Sequence, residues 1–561
     1  MKYIRQKGQK QHEGEHFMKR FLSLLCSIML AASLLYSGPA SASENDDGTG
    51  VYLKISSNSF GGVTILNATK YDRYDDNFFI INYSNYHNLC YFFIDDSYRN
   101  RPVTVIGESA FSYNFNADYI HIPETVVRIE KKAFANSHIM QVDIPDGCTF
   151  IGRSAFADCT FLNIATIPES VIEIEPLAFA GCTKIELQFA PKCIYTLMDG
   201  VIFHKGTKTL YFYPETLKNN SYTVPSGILA IGESAFKNDN LSEIILPDTL
   251  MKIETKAFLA CTNLISLSIP ASVTEIQANA FPESLSNLTV DPNNPVYEMV
   301  DGVLFDKMTH TLVWYPKQKN EQSYNVPDGT IAIMDTAFSG NESLCKIKLP
   351  DSLESIGESA FRDCKSLSEV AIPVGISSIP NYAFYGCTSL ENVAFPEGLT
   401  EVGLCAFSYC ALQELALPSS IESVMDLAFS ANNFKAVTMS AQIEWNSSVF
   451  SECSHLQSVI VESGITLIPF SMFSDCSALT EVILPDGLTK IDAFAFSNCP
   501  ALKQMIIPAS VTEIDSSAFS ISYNVNSDIT LIVTENSAAE AYAKSQKINC
   551  KYINADDWLN N

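Results

Sequence analysis

The sequence predicts a β-solenoid, a right-handed coil of about sixteen repeats of 21 to 23 residues whose strands stack in parallel. Three observations predict this fold. An Ala-Phe phrase recurs along most of the 561 residues, an alternating apolar phrase precedes each copy, and proline separates the two in thirteen of sixteen copies. Because each coil buries its apolar face against its neighbours, a long chain can remain one array.

Sixteen phenylalanines set the period. They are 21 to 23 residues apart, with two larger steps of 57. Proline stands eleven residues before each one, except at Asn100, Met439 and Glu462. Length therefore varies only after the phenylalanine, where we expect a loop. The phenylalanines are Phe111, Phe134, Phe156, Phe179, Phe236, Phe258, Phe281, Phe338, Phe361, Phe384, Phe407, Phe429, Phe450, Phe473, Phe496 and Phe519.

Each proline ends a short β-strand. Residues 367–372 and 479–484 alternate apolar and polar side chains before Pro373 and Pro485. Period two predicts a strand with one buried face, and proline ends it because it has no N–H to donate. A second extended piece, such as 353–356, leads into the Ala-Phe turn. Coils should therefore stack about 4.8 Å apart.

The position three residues after each phenylalanine, which we call the cysteine slot, holds cysteine nine times and otherwise Asn, Ser or Asp. This set predicts a compact group that hydrogen-bonds turn backbone inside the coil. We therefore expect a buried, mostly reduced ladder of thiols, with isolated disulfides still open among Cys148, Cys193, Cys345, Cys405 and Cys550. The ladder residues are Cys159, Cys182, Cys261, Cys364, Cys387, Cys410, Cys453, Cys476 and Cys499.

Two matched insertions, at about 190–224 and 292–326, account for the steps of 57. Each carries an Asp-Gly-Val phrase and ends in Tyr-Pro, with a polar turn between β-rich runs. This pattern predicts a β-hairpin that replaces or covers one coil and divides the array into blocks.

Caps are predicted on both sides of the repeats at 105–521, because an open coil exposes apolar core and strand edge. Residues 43–104 lack the repeat and carry extended runs, which predicts a β-rich cap. Residues 522–561 predict an αβ cap, with strands at 528–533 and 548–553 and a helix at 537–546 that Ser537 caps.

Residues 1–42 have the pattern of a signal peptide. Lys19 and Arg20 precede an apolar run at 21–36, and Ala40-Ser41-Ala42 is a small-x-small cleavage site, with Met18 as an alternative start. We expect export, without membrane insertion after cleavage, since no later apolar stretch reaches eighteen residues. Cleavage changes the net charge from −27 to about −31, which disfavours nucleic-acid partners.

The repeat resembles the BspA-like (Treponema pallidum-type) leucine-rich repeats, whose units read roughly L-x-x-I-x-I-P-x-S-V-x-x-I-G-x-x-A-F-x-x-C. The resemblance covers about residues 101–521, and the insertions and the Ala-rich segment 538–543 share it. Met439, Trp445 and Glu462 depart from the pattern. The resemblance implies a leucine-rich-repeat solenoid and a secreted or surface-exposed bacterial protein, with adhesion to host matrix proteins or to other cells as a family expectation.

No catalytic set stands out. The histidines after the predicted signal peptide are scattered, and there is no HExxH, paired CxxC, phosphate loop or G-x-S-x-G motif. We therefore expect no enzymatic activity, cofactor or metal; a β-solenoid enzyme acting on carbohydrate is the weaker alternative. Acidic residues spread over the turns, as a solvated rim would.

Binding residues are sought among the outward positions of the strands before proline, because these form a continuous sheet face. Ile460, Ile483 and Ile506, with Glu481 beside them, predict an apolar contact patch with a polar rim. The competing explanations are coverage by the C-terminal cap and simple β-propensity. Tyr119 and His121 form a second candidate. Other predicted outward residues are Gln141, Asp143, Glu243, Ile245, Ser266, Ser268, Lys346, Lys348, Glu369, Ala371, Glu414, Ala416, Ser458 and Gln504.

Two functional hypotheses remain. The first is a monomeric, non-enzymatic recognition protein that binds protein or glycan ligands on host or bacterial surfaces. The second is a structural or assembly component of the cell surface. Export and the repeat array suit both hypotheses, while an outward patch favours the first.

Overall fold

The computed structural model is a β-solenoid of about 20 turns, which confirms the predicted fold class and corrects the predicted count of sixteen. The extra turns lack the Ala-Phe phrase and lie at the ends and in the insertions. The predicted signal peptide lies outside the described residues. Those residues are 52–57, 63–69, 78–80, 83–86, 89–94, 96–98, 101–113, 118–236, 240–521, 524–525 and 528–553.

One strand per coil precedes the proline position, and we call these the front strands. Neighbouring front strands pair in parallel, as in the register of Gln141 with Tyr119 and with Ile164. One coil, at 411–418, has irregular backbone in place of a strand. The front strands are Leu89–Phe93, Tyr119–His121, Gln141–Asp143, Ile164–Ile167, Glu186–Phe189, Ser221–Thr223, Glu243–Ile245, Ser266–Ile269, Asn287–Val290, Ser323–Asn325, Lys346–Lys348, Glu369–Ala371, Asn392–Ala394, Ala436–Met439, Ser458–Val461, Glu481–Ile483, Gln504–Ile506, Thr530–Val533 and Asn549–Tyr552.

A second, shorter strand in each coil leads into the Ala-Phe turn, and these back strands also pair in parallel. The back strands are Arg101–Ile106, Arg128–Ile129, Phe150–Ile151, Glu173–Ile174, Ala230–Ile231, Lys252–Ile253, Glu275–Ile276, Ala332–Ile333, Ser355–Ile356, Ser378–Ile379, Glu401–Val402, Ser423–Val424, Glu444–Trp445, Leu467–Ile468, Lys490–Ile491 and Glu513–Ile514.

The first coil is preceded by antiparallel strands. Tyr83–Tyr86 forms a hairpin with Leu89–Phe93, and Val63–Thr69 pairs in parallel with Arg101–Ile106. The first front and back strands are therefore each paired on both sides. The remaining strands of this region are Tyr52–Ser57, Phe78–Ile80 and Ser97–Tyr98.

The phenylalanines form a buried aromatic stack along the solenoid. Consecutive rings within a block lie nearly parallel, as for Phe361 and Phe384 with centroids 5.0 Å apart. The backbone maintains this spacing, because the Phe361 N–H donates to the Ala383 carbonyl of the next coil at 2.8 Å. The Ala-Phe phrase is therefore part of the core, where parallel coils repeat the same contacts.

Each insertion is a three-stranded antiparallel meander rather than the predicted hairpin. The strands are Tyr195–Met198, Val201–His204 and Thr209–Phe212 in the first insertion, and Tyr297–Val300, Val303–Asp306 and Thr311–Trp314 in the second. The third strand of each pairs in parallel with the next back strand. Each insertion thus rejoins the solenoid as a coil.

Tyrosines adapt the insertions to the stack. Tyr213 and Tyr315 occupy phenylalanine positions, with ring centroids 5.4 Å from Phe236 and 4.8 Å from Phe338. The hydroxyls of Tyr195 and Tyr297 accept hydrogen bonds from the N–H groups of Ile174 and Ile276 at 3.0 and 2.8 Å. These hydroxyls replace the carbonyl that the next back strand would supply. The buried apolar residues accordingly form three clusters, with boundaries at the insertions.

All nine cysteines of the ladder are buried, and the fourteen cysteines examined as thiols in the described residues are free. Their sulfhydryls cap phenylalanine carbonyls of the preceding coil, as Cys387 does for Phe361 at 3.1 Å. Burial raises the pKa of Cys364 and of Cys499 to about 12. At neutral pH these thiols stay protonated, which suits a donor in the core.

The C-terminal segment continues the front sheet. Thr530–Val533 pairs in parallel with Gln504–Ile506 on one side and with Asn549–Tyr552 on the other. A helix, Ala538–Gln546, connects the last two strands; Ser537 caps its N-terminus by accepting from the Glu540 N–H. The short hairpin Ser520–Ile521 and Asn524–Val525 lies just before this segment.

We expect the C-terminal segment to lose stability in acid because of Glu540, whose side chain is 4 % exposed. Hydrogen bonds from Lys544, Tyr552 and the Asn536 N–H lower the pKa of Glu540 to about 2, compared with an ordinary value of 4.5. A lowered carboxyl pKa stabilises the folded state above about pH 4.5, and this contribution is lost as the pH falls through about 2.

Thermal melting of Glu540→Gln against the parent, between pH 7 and pH 2, checks this expectation. The parent should melt higher near neutral pH, and the gap should close as the pH approaches about 2. Glu535→Gln, at an exposed position nearby, is the control and should show no such gap. A gap of constant size across the range would contradict the assignment.

Candidate binding face

The front strands expose alternate residues on one face, which we call the front face. In Lys346–Lys348 and in Glu369–Ala371 the middle residue is buried and both ends are exposed. Parallel register places equivalent residues of successive coils side by side. The front face therefore carries two outward columns, the first at the start of each strand and the second two residues later.

The structure puts the predicted N-terminal candidates on the front face. Tyr119 is half-buried and His121 is exposed, on the two columns of one strand. Gln141 and Asp143 lie beside them in register. This polar group is many coils away from the isoleucines, so the two candidates do not form one site.

The three predicted isoleucines occupy the second column and are exposed by 46 % for Ile460, 51 % for Ile483 and 36 % for Ile506. Ile460 is in direct register with Ile483. The C-terminal segment does not cover this column. Its strand Thr530–Val533 lies beside Ile506 in the same sheet and adds Ile532, which is half-buried, to the column.

Polar residues line the first column beside the isoleucines. Glu481 and Gln504 are exposed and Ser458 is half-buried. On the same column nearer the N-terminus, Lys346 forms an exposed ion pair with Glu369 at 3.0 Å. An exposed pair of this kind contributes little to stability and stays available to a partner.

A shallow groove of about 290 Å³ lies next to Ile460 on the front face. It adjoins the irregular coil at 411–418 and has both apolar and polar walls, including Leu417, Thr438 and Gln442. The two coils there have one residue fewer between the cysteine slot and the next core residue, as in Cys410 to Leu412. The shortened connections coincide with the missing strand, and sequence reasoning missed this groove.

The chemistry of the described residues is that of a surface for contact. Within those ranges, no three His, Cys, Asp or Glu side chains are grouped so that they could hold a metal ion. Nor does this part of the chain contain a helix with the length and apolar character needed to cross a membrane.

The family comparison matches the region described as "BspA type Leucine rich repeat region", in six copies. The matched residues are 81–208, 207–308, 314–435, 406–526 and 443–553. No curated protein matches the chain significantly.

Solved structures that resemble the chain come from gut bacteria. A leucine rich cell surface protein from Faecalibacterium prausnitzii is 26 % identical, with 79 % of this chain and 95 % of that chain covered and a TM-score of 0.37. A leucine-rich repeat protein from Bacteroides ovatus is 18 % identical, with 92 % and 100 % covered and a TM-score of 0.38. The family matches span well over half of the sequence, and the chain belongs to the BspA type leucine-rich repeat family.

Proposed function

We propose that the chain is a non-enzymatic recognition protein, secreted or held at the bacterial surface, whose front face binds a protein or glycan on a host or microbial surface. The observation that carries this proposal is the exposed isoleucine column at Ile460, Ile483 and Ile506, which no strand of the C-terminal segment covers. Exposed apolar residues in a row beside polar ones are typical of an interaction surface.

The proposed location draws on two other observations. Residues 1–42 have the pattern of a signal peptide. The family to which the chain belongs implies secreted or surface-exposed bacterial proteins. Fractionation of the producing cells, with detection in medium, envelope and cytoplasm, tests the location, and a purely cytoplasmic protein would overturn it.

We expect the triple variant Ile460→Lys, Ile483→Lys and Ile506→Lys to lose most of its partner capture. Three lysines on adjacent coils remove the apolar contact area and introduce charge where a partner must exclude water. The measurement is pull-down from host matrix extracts and from bacterial cell-wall fractions, followed by quantitative mass spectrometry of the captured material.

The control places the same three lysines at exposed positions on the same column in earlier coils, namely Ser268, Thr289 and Asn325. This variant should bind as the parent does. Equal capture by the isoleucine variant and the parent would remove the isoleucine column from the proposal. Ordered assemblies of the parent in light scattering, across salt concentrations, would favour the structural hypothesis over recognition.

A further inference from the structure

The isoleucines are part of a longer uncharged stripe. In eight successive coils the second outward column carries no charged side chain, and each member is exposed except Ile532, which is half-buried. Register pairs Ala371 with Ala394 and Ile506 with Ile532. At a strand spacing of about 4.8 Å the stripe runs for roughly 34 Å along the solenoid. Its members are Ala371, Ala394, Ala416, Thr438, Ile460, Ile483, Ile506 and Ile532.

The rest of the column shows that β-propensity does not account for the stripe. In the ten preceding front strands from Tyr119–His121 to Lys346–Lys348, only Ile245 is apolar at this position. If strand preference alone chose these residues, isoleucine would be spread along the array. The charged residues Lys348 and Lys551 occupy the positions on either side of the stripe. The others before it are His121, Asp143, Thr166, Gln188, Thr223, Ser268, Thr289 and Asn325.

Acidic residues flank the stripe on both sides. Exposed carboxylates lie on or next to the first column on one side and just past the proline position on the other. Two exposed lysines, Lys435 and Lys503, are the basic residues of this border, and Lys503 is paired with Asp528 at 3.6 Å. The border is therefore acidic overall. Its carboxylates belong to Glu369, Glu391, Glu414, Glu481, Glu397, Glu462, Asp486 and Glu535.

Resting on the recognition function proposed above, we infer that this stripe is a docking site for an amphipathic helix that carries lysine or arginine beside its apolar face. A straight stripe of roughly 34 Å matches a helix of about 22 residues, at 1.5 Å per residue. Such a partner would place its apolar row on the stripe and its basic residues against the acidic borders. The groove beside Ile460 provides space for a large anchoring side chain.

Charge argues against a second copy of the chain as the occupant. The protein has a net charge of −27, and two copies meeting face to face would bring acidic borders together. Like charges at an interface disfavour association. A cationic partner gains from the same field, both in its rate of encounter and in its orientation.

The test uses a 22-residue helical peptide of leucine and lysine, with leucine at i, i+3 and i+4, and measures its binding by fluorescence anisotropy. Two comparison peptides are a scrambled sequence of identical composition and a version with glutamate in place of lysine. The parent protein should bind the amphipathic lysine peptide at least tenfold more tightly than either, and the affinity should fall as salt is raised.

Substitutions then localise the site. The triple variant Ile460→Lys, Ile483→Lys and Ile506→Lys should weaken binding at least tenfold, and the Ser268, Thr289 and Asn325 lysine variant only slightly. Equal binding of the scrambled peptide, or equal loss in both variants, would mean general attraction of cations to an acidic protein and would overturn the inference. If no peptide binds but surface extracts are still captured through the isoleucines, this inference falls and the proposed function stands.

Discussion

Replacement of Phe384 by alanine is expected to lower the free energy of unfolding by about 3–5 kcal/mol, the range for removal of a buried phenylalanine. Phe384 is fully buried and lies between Phe361 and Phe407, with centroids 5.0 and 5.1 Å away. The substitution leaves a cavity and removes two aromatic contacts at once. Urea unfolding measures the loss, and hydrogen exchange should show it concentrated in the adjoining coils.

Val374→Ala provides the matched control, because Val374 lies in the same coil and is 75 % exposed. It should change the free energy of unfolding by no more than about 0.5 kcal/mol. A Phe384→Ala protein as stable as this control would show that the aromatic stack contributes little, and that strand pairing alone maintains the coils.

The regular coils could be predicted from sequence because each position repeats its environment. The proline, the Ala-Phe phrase and the cysteine slot recur at constant offsets, so a residue's place in one coil shows its place in all. This reasoning correctly assigned burial to Phe384 and exposure to Ile460 and Ile483. It also predicted the helix at the C-terminus from Ser537 and the residues that follow.

The insertions were harder, because their residues serve the fold through contacts that no repeat reveals. Tyr213 and Tyr315 take phenylalanine positions without the Ala-Phe phrase. Tyr195 and Tyr297 complete an interrupted back sheet through their hydroxyls. A tyrosine conserves the aromatic shape and adds a polar end, so only the paired geometry shows which property is used.

The binding face was predicted in part. Alternation within each strand identified outward residues, and the structure places the three isoleucines in one exposed column. Ile532 was missed because the 21 to 23-residue period stops before it, although its own strand alternates. The groove at 411–418 depends on backbone that leaves the repeat, and a pattern read from regular coils has no information on such a place.

The shortened connection at 410–412 explains why Asn432 stands in the cysteine slot. In a regular coil the Leu390 N–H donates to the Cys387 carbonyl at 2.9 Å. Leu412 comes only two residues after Cys410, so its N–H donates instead to the Asn432 side chain of the next coil at 3.0 Å. The amide nitrogen of Asn432 meanwhile donates to the carbonyls of Phe407 and Phe429 at 2.8 and 3.0 Å. An amide both accepts and donates strongly, whereas a thiol does both weakly.

Asn432→Leu should therefore lower the free energy of unfolding by about 2–5 kcal/mol, since at least two backbone groups lose their partners at a site only 1 % exposed. Asn432→Cys restores the commonest residue of the slot, yet we expect it to cost about 1–2 kcal/mol because the Leu412 N–H still lacks a strong acceptor. Asn433→Leu, at the exposed neighbouring position, should fall within about 0.5 kcal/mol of the parent. Urea unfolding of the three variants decides the point. If cysteine were as stable as asparagine, the slot would require only a small donor, and the shortened connection would not be the reason for Asn432.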